Sequence, residues 1–151
     1  MKTVNIVSLW DLGKKVRLLK TIKAFKADAI KEGSNCLLLF ESGKIIATGF
    51  KTFTDAKKFT KSRFPSAKFI KIVNITAVEF IRKKINVTGL EYEPEIYPAH
   101  IWKKNKICIV YYASGKLIVT GGKTHKELRE AYLEFREKTS INRDQQEKLN
   151  Q

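Results

Sequence analysis

Cysteine and histidine are the side chains best suited to covalent or metal chemistry, and this sequence has two of each. Neither Cys36 nor Cys108 has a histidine or a second cysteine nearby, which excludes a tetrahedral zinc site. His100 and His125 are isolated, no Ser-His-Asp or Cys-His arrangement is indicated, and no glycine-rich phosphate loop follows a strand. The sequence therefore predicts a protein that is not an enzyme and uses neither a metal nor a cofactor.

The charge of the chain is its most pronounced bulk property. Thirty Lys and Arg residues against fifteen Asp and Glu give a net charge of +15 and an isoelectric point near 9.9. Such an excess favours a polyanionic partner, either nucleic acid or an anionic membrane surface; the alternative is a basic protein without such a partner. The excess is larger in residues 1–70, with 15 basic and 5 acidic residues, than in residues 71–151, with 15 and 10.

Length and hydropathy bound the class of protein. The 151 residues suffice for one domain or for two small halves that share a sheet, and 43% of them are hydrophobic, enough for a packed core. No apolar run approaches the ~20 residues of a membrane span, and MKTVNIVSLWDLGKK lacks the apolar stretch and cleavage site of a signal peptide. We therefore expect a soluble, intracellular protein without a disulfide.

The chain contains one segment twice. CLLLFESGKIIATGFKT begins at Cys36 and CIVYYASGKLIVTGGKT begins at Cys108, 72 residues later, and serine, glycine, lysine and threonine recur in register. In each copy two β-rich runs flank a Ser-Gly-Lys turn, where glycine permits a positive φ. Each copy therefore predicts a β-hairpin.

A helix is predicted after each hairpin and a strand before it. Thr52 and Thr124 stand at helix N-caps, with Asp55 and Glu127 three residues later. The apolar stripes of the two helices are Phe53, Ala56 and Phe59 in the first, and Leu128, Ala131, Tyr132 and Phe135 in the second. VNIVSL and KIVNITAVEF are equivalent strands, VRLLKTIKAF is predicted to be helical, and the polar stretch TSINRDQQEKLNQ is expected to fray.

The duplication predicts two α/β units whose sheets join edge to edge, with helices on one face only. Residues two apart share a side of a strand. Cys36, Leu38 and Phe40 share one side of the first hairpin, Leu37 and Leu39 the other, and Cys108, Val110 and Tyr112 follow the first set. Both sides are apolar, so one is left as an open surface rimmed by lysines, unless a second layer or a dimer covers it.

This arrangement resembles the TATA-box-binding protein family. The doubled SGK…TG motif with an aromatic residue two before the serine, the acidic YEPEIYP at 92–98 and the asparagine strands VNIV and IVNIT are similar to that family's motifs and stand in the same order, over about residues 3 to 138. The resemblance implies an α+β fold: two pseudo-symmetric repeats, 1–70 and 71–138, form one curved antiparallel sheet, a saddle with helices on its convex face. Residues 139–151 would be a flexible tail.

The resemblance also implies a function. Members of the family are general transcription initiation factors that bind the minor groove of A·T-rich promoter DNA, kink it with inserted aromatics and recruit a transcription factor IIB-like protein and RNA polymerase. The wedges match Phe25 and Phe40 in the first repeat and Tyr97 and Tyr112 in the second, each pair 15 residues apart. Because the family has phenylalanine at all four places, the two tyrosine hydroxyls must find water or a polar base edge, and the second kink is expected to be less sharp.

The remaining matches fall into three groups. Residues that match contacts to the groove floor are Asn5, Val7, Leu38, Ile46, Thr48, Asn74, Thr76, Val110, Ile118 and Thr120, with Pro98 beside a wedge; Thr76 stands where the family has valine. Phosphate contacts match Ser42, Lys44, Lys106, Ser114 and Lys116, and the IIB-like partner's site matches Glu93, Glu95 and Ile96. A guanine amino group would clash with the apolar contacts, so A·T is expected to be preferred to G·C.

Two other functions stay open. A protein-interaction scaffold that keeps the fold with weak or lost DNA bending is consistent with the tyrosine changes and the short loops. A substrate-binding half of an enzyme is disfavoured by the complete duplication without a catalytic appendage. For the leading function we expect a monomer on DNA, no membrane partner, and a location at the site of transcription, in the nucleus or in a viral factory. The Lys-, Ile- and Asn-rich composition indicates an A·T-rich genome such as that of a large DNA virus or a parasite.

Overall fold

The computed structural model of the chain describes residues 1–19, 21–22 and 26–141, with the backbone alone at 21 and 22. Phe25 and residues 142–151 of the predicted tail therefore lie outside the described residues. The elements are β1 (Lys2–Asp11), β2 (Thr21–Ile22), β3 (Ala27–Glu32), β4 (Asn35–Phe40), β5 (Lys44–Phe50), α1 (Phe53–Arg63), β6 (Lys68–Phe80), β7 (Glu91–Tyr92), β8 (His100–Lys104), β9 (Ile107–Tyr111), β10 (Lys116–Gly122) and α2 (His125–Lys138).

The strands form one sheet in the order β2-β3-β4-β5-β1-β6-β10-β9-β8-β7. The strand pairs β1/β5, β10/β9, β3/β4, β4/β5 and β8/β9 are antiparallel. The α+β class, both hairpins, both helices and both asparagine-bearing strands are as the sequence predicts. The chain divides into two compact units within β6. The N-terminal unit is Thr3–Thr76, and the C-terminal unit is Met1–Lys2 with the described residues from Ala77 onward.

In the N-terminal unit, helix α1 covers one face of the strands. Trp10, Leu37, Ile45 and Phe50 are at most 1% exposed and form a core with Ala56 of the helix. The Trp10 ring stacks on Phe53 at 5.9 Å, and its indole N–H donates to the Ser8 hydroxyl at 2.9 Å, so its polar atom is satisfied inside the core. Burial of this face leaves the opposite face of β1, β4 and β5 uncovered by either of the two helices that the described residues form.

The C-terminal unit repeats this packing. Ile109, Leu117, Val119 and Phe135 are completely buried, and the Trp102 ring meets Phe135 edge to face at 5.9 Å. Each helix begins at the predicted threonine: the hydroxyls of Thr52 and Thr124 both accept a backbone N–H three residues later, at 3.1 Å. Local capping and an apolar stripe therefore define both helices.

The helix predicted for VRLLKTIKAF is wrong. Residues 12–19 are irregular and Thr21–Ile22 form strand β2. Leu19 is 89% exposed, and its N–H donates to the Asp28 carboxylate of β3 at 2.7 Å. The Val16 N–H donates to the Glu41 carbonyl at 2.9 Å. Hydrogen bonds to residues distant in the sequence thus take the place of the hydrogen bonds within a helix that were predicted for this segment.

A bulge in β5 interrupts its pairing with β1. Ile6 is opposite Phe50 and Ser8 is opposite Ala47, so Thr48 and Gly49 together face one residue of β1. Gly49 has a φ of +87°, and a Cβ there would lie 1.7 Å from the Ser34 carbonyl oxygen. Only glycine fits this backbone, and its N–H is released from the ladder toward Asn5.

Candidate nucleic-acid interface

The open face of the N-terminal unit is formed by the side chains that alternate with the buried core. Val7, Leu38, Phe40 and Ile46 are half-buried, while their strand neighbours Leu37, Leu39 and Ile45 are buried under the helix. Leu38 and Ile46 are direct cross-strand partners. The face is therefore a continuous apolar surface with polar atoms at a few fixed places, as the alternation of the sequence predicts.

Asn5 is a polar side chain of this face whose amide group is fixed by two hydrogen bonds. Its Oδ1 accepts the bulge N–H of Gly49 at 2.7 Å, and its Nδ2 donates to the Thr48 hydroxyl at 3.3 Å. Because a backbone N–H can only donate, the oxygen must face Gly49 and the nitrogen must face Thr48, which leaves the second amide hydrogen of Asn5 to donate elsewhere. Because the Thr48 hydroxyl accepts from Asn5, its own hydrogen is left to donate elsewhere. Asn5 and Thr48 therefore present hydrogen-bond donors side by side.

The C-terminal unit carries the corresponding face on β9 and β10. Val110 is paired with Ile118, and Cys108 with Thr120, and all four are half-buried. Asn74 and Thr76 are half-buried in β6, at the end of the N-terminal unit. The predicted groove-floor residues of each unit thus lie on the face that alternates with its core.

The structure brings two of the four predicted wedges together. Phe40 is half-buried at the end of β4, and its proposed partner Phe25 lies outside the described residues. Tyr97 and Tyr112 share a short hydrogen bond between their hydroxyls, and their rings meet edge to face with centroids 6.1 Å apart. Pro98 is exposed beside them.

The two Ser-Gly-Lys turns have the same backbone but different electrostatics. In both, the serine hydroxyl accepts the lysine N–H at 3.4 Å, for Ser42 with Lys44 and for Ser114 with Lys116. The Lys44 ammonium lies 2.9 Å from the Asp11 carboxylate. The Gly13 N–H and then the Lys44 ammonium hold the pKa of Asp11 below its ordinary value. Within the described part of the chain Lys116 has no carboxylate partner, so the second turn is the more cationic.

One basic cluster was missed by the sequence analysis. Arg82, Lys83 and Lys84 are exposed and line a groove together with Ser114 of the second turn. The Ile81 N–H donates to the Gly115 carbonyl at 2.8 Å, which holds this segment against the turn. Three consecutive basic residues directly after a strand were the available signal. Lys106, predicted as a phosphate contact, is exposed in the turn between β8 and β9.

The acidic segment is a surface turn. The Glu93 carbonyl accepts the N–H groups of Ile96 at 3.0 Å and Tyr97 at 2.9 Å, and Ile96 is 79% exposed. Among the described residues neither Glu93 nor Glu95 forms an ion pair. The turn therefore presents an exposed apolar side chain that follows two uncompensated carboxylates in the sequence.

No group of three or more His, Cys, Asp or Glu side chains in the described ranges could hold a metal ion. No helix there has both the length and the apolar character needed to cross a bilayer. Cys36 and Cys108 are free thiols on half-buried strand positions, and burial raises the pKa of Cys108.

Comparisons with known proteins agree with this geometry. The family model described as "Transcription factor TFIID (or TATA-binding protein, TBP)" matches residues 69–138. The TATA-box-binding protein of Tetrahymena thermophila is 32% identical over 87% of this chain, which spans 66% of that protein, and that of Archaeoglobus fulgidus is 26% identical, with 87% and 90% covered. The solved structure of Methanococcus jannaschii TBP superposes with a TM-score of 0.75 at 23% identity, covering 89% of this chain and 94% of the other.

Proposed function

We propose that this chain, which belongs to the TATA-box-binding protein family, is a transcription initiation factor that binds A·T-rich promoter DNA through the minor groove. Its relatives are named for binding a TATA box, and the fold supports such a function at the level of the family. The observation that carries the proposal for this chain is the fixed orientation of Asn5, whose amide oxygen accepts the Gly49 N–H and whose amide nitrogen therefore lies beside the Thr48 hydroxyl.

The donors of Asn5 and Thr48 match the floor of an A·T-rich minor groove. There the base edges present only the acceptors N3 of adenine and O2 of thymine, whereas a G·C pair adds the amino group of guanine. A guanine amino group would project toward the Asn5 donor and would crowd the apolar side chains Val7 and Ile46, so the G·C pair is disfavoured by donor–donor contact and by steric overlap. The arrangement therefore favours A·T over G·C, and does not distinguish A·T from T·A.

Affinity and bending would come from two further groups. The exposed cations Lys106, Lys116 and Arg82–Lys84 supply contacts to the phosphates, which carry affinity but no sequence information. The half-exposed rings of Phe40, Tyr97 and Tyr112 are placed to enter base steps and replace lost base stacking by ring contact. We propose that they kink the duplex at the two ends of the element.

The acidic turn is proposed as the site of a transcription factor IIB-like partner, through which RNA polymerase is recruited. Two carboxylates without an ion pair among the described residues, followed by the exposed Ile96, suit a basic partner surface with an apolar pocket. The protein would act as a monomer on DNA at the site of transcription.

The function is tested by binding and bending of an end-labelled duplex, read by energy transfer between its ends. The wild type is expected to bend an A·T-rich box and to prefer it to a G·C-rich duplex. Phe40→Ala should lose most of the bend at its end and about tenfold in affinity, because stacking on one ring contributes roughly 1–3 kcal/mol. A IIB-like factor should bind the protein–DNA complex and slow its migration in a native gel. Glu93→Lys should abolish the binding of that factor.

A scaffold function predicts the opposite pattern. Binding would be weak, salt-sensitive and indifferent to sequence, and Phe40→Ala would leave it unchanged. Phe53→Leu in the helix-covered core is a suitable control for general destabilisation, since that side chain packs on Trp10 and not on the open face.

The ion pair at the first turn makes a separate prediction. Asp11→Asn releases the Lys44 ammonium, which we expect to raise affinity for the A·T-rich duplex about threefold and to steepen the salt dependence by roughly one released ion. Affinity measured by fluorescence anisotropy over a range of salt concentrations checks both. Glu32→Gln, which frees Arg63 at the end of helix α1, removes the same charge elsewhere. Equal effects of the two variants would mean that net charge alone is responsible.

A further inference from the structure

Tyr97 and Tyr112 are joined through their hydroxyls although neither is a core residue. Tyr97 is 41% exposed and Tyr112 is half-buried. Each backbone is fixed by its own turn: the Tyr97 N–H donates to the Glu93 carbonyl and the Tyr112 N–H to the Lys116 carbonyl, both at 2.9 Å. With the hydroxyls linked and the rings edge to face, the two side chains form one unit, here called the tyrosine dyad.

The dyad has hydrogen-bonding capacity to spare. Two hydroxyls carry two hydrogens and four lone pairs, and the internal bond uses one of each. One hydrogen remains to be donated and three lone pairs remain to accept. The hydrogen bond with Tyr97, and burial after it, raise the pKa of Tyr112 above its ordinary value, so the Tyr112 hydroxyl keeps its hydrogen at neutral pH.

We propose that the tyrosine dyad makes the C-terminal unit tolerant of a G·C pair at the base step it opens, while the rest of the open face selects A·T. This rests on the proposed function. A guanine amino group is a donor, and burying it without an acceptor has a cost that strongly disfavours binding. The free lone pairs of the dyad supply that acceptor. At an A·T pair, the remaining hydroxyl hydrogen donates to N3 or O2 instead.

The N-terminal unit offers no such compensation at Phe40. A phenylalanine ring has no donor or acceptor for a base edge, so a G·C pair opened there leaves its amino group unsatisfied. The two ends of a bound element therefore differ in what they accept. An element with a G·C pair at one end only would be bound in a single orientation, with the dyad at that end.

The test uses competition binding with three duplexes: an A·T box, the same box with a G·C pair at the upstream terminal step, and one with that pair at the downstream terminal step. For the wild type, we expect one G·C pair at either end of the box to lower the affinity by at most about twofold, since the protein can bind in the orientation that puts the dyad at the G·C end. A fourth duplex with G·C at both ends should lose about tenfold, because one pair must then face Phe40.

The variant Y97F/Y112F removes the dyad's hydroxyls and keeps its rings. It should lose about tenfold for each single G·C duplex as well, while its affinity for the A·T box changes by less than about threefold. Tyr111→Phe, the neighbouring residue in β9, is the matched control and should behave as the wild type. Orientation is read from energy transfer between a dye on one duplex end and a dye on the acidic turn, with one preferred placement for each single G·C duplex.

Separate outcomes identify separate failures. If Y97F/Y112F weakens all four duplexes by one factor, the dyad is structural and this proposal is wrong while the proposed function stands. If the wild type shows no preference for the A·T box over a G·C-rich duplex, the proposed function fails and the dyad's role fails with it. Absorbance titration of Tyr97→Phe gives an independent check that the link exists in solution: the pKa of Tyr112 should fall toward its ordinary value, and an unchanged titration would overturn the proposal.

Discussion

Asn5→Asp is expected to weaken binding to an A·T-rich duplex by about a hundredfold, corresponding to roughly 3 kcal/mol. The carboxylate keeps the oxygen that accepts the Gly49 N–H at 2.7 Å, so the local fold is retained. The second oxygen replaces the amide nitrogen that donates to the Thr48 hydroxyl and that, under the proposed function, lies against the groove. An acceptor with a negative charge then meets the N3 and O2 acceptors of the bases, and the repulsion is concentrated at the floor of the groove. Fluorescence anisotropy with a labelled A·T box measures the loss.

Two variants separate this effect from its alternatives. Asn105→Asp makes the same chemical change at an exposed turn with a φ of +55°, a conformation that aspartate tolerates, and should lose less than about threefold. Asn5→Ala removes the donor without adding charge and should fall between the two. A loss for Asn5→Asp no larger than that for Asn105→Asp would show that Asn5 does not face the DNA.

The sequence allowed the two faces of the hairpins to be predicted because the period of two is a local property. Leu37 and Leu39 are buried under the helix and Leu38 is not, as the alternation requires. The helix caps at Thr52 and Thr124 are likewise decided within four residues. The failed helix at VRLLKTIKAF shows the limit: the N–H of Leu19 is held by Asp28 and that of Val16 by Glu41, partners that periodicity cannot reveal.

The properties that decide the chemistry of the site are mostly non-local. The Asn5 amide is oriented by Gly49, 44 residues away, and the Lys44 ammonium is paired with Asp11, 33 residues away. Matching residues to a family motif assigned these positions but not their partners. The tyrosines at 97 and 112 were expected to need water or a base edge, whereas the structure supplies each hydroxyl with the other. Such pairings are known only once the fold is known, and the choice between A·T and G·C pairs depends on them.

Gly49→Ala is expected to destabilise the protein by about 4 kcal/mol, the sum of left-handed backbone strain, overpacking and one lost hydrogen bond. The added Cβ would lie 1.7 Å from the Ser34 carbonyl oxygen; that oxygen is a backbone atom and the Cβ is bonded directly to Cα, so neither can be moved by rotating a side chain. For a chain of this length the melting temperature should fall by roughly 12 °C, measured by circular dichroism.

Gly33→Ala separates strain from collision. Gly33 also has a positive φ, +61°, but no atom lies within 4 Å of its missing Cβ, so only the backbone strain of about 1–2 kcal/mol applies. Equal losses in the two variants would show that the bulge relaxes freely.

If the bulge is rigid, Gly49→Ala has a second consequence at temperatures where the variant stays folded. Displacing the Gly49 N–H frees the Asn5 amide to turn, and the preference for A·T over G·C should shrink even though no residue facing the groove has been replaced.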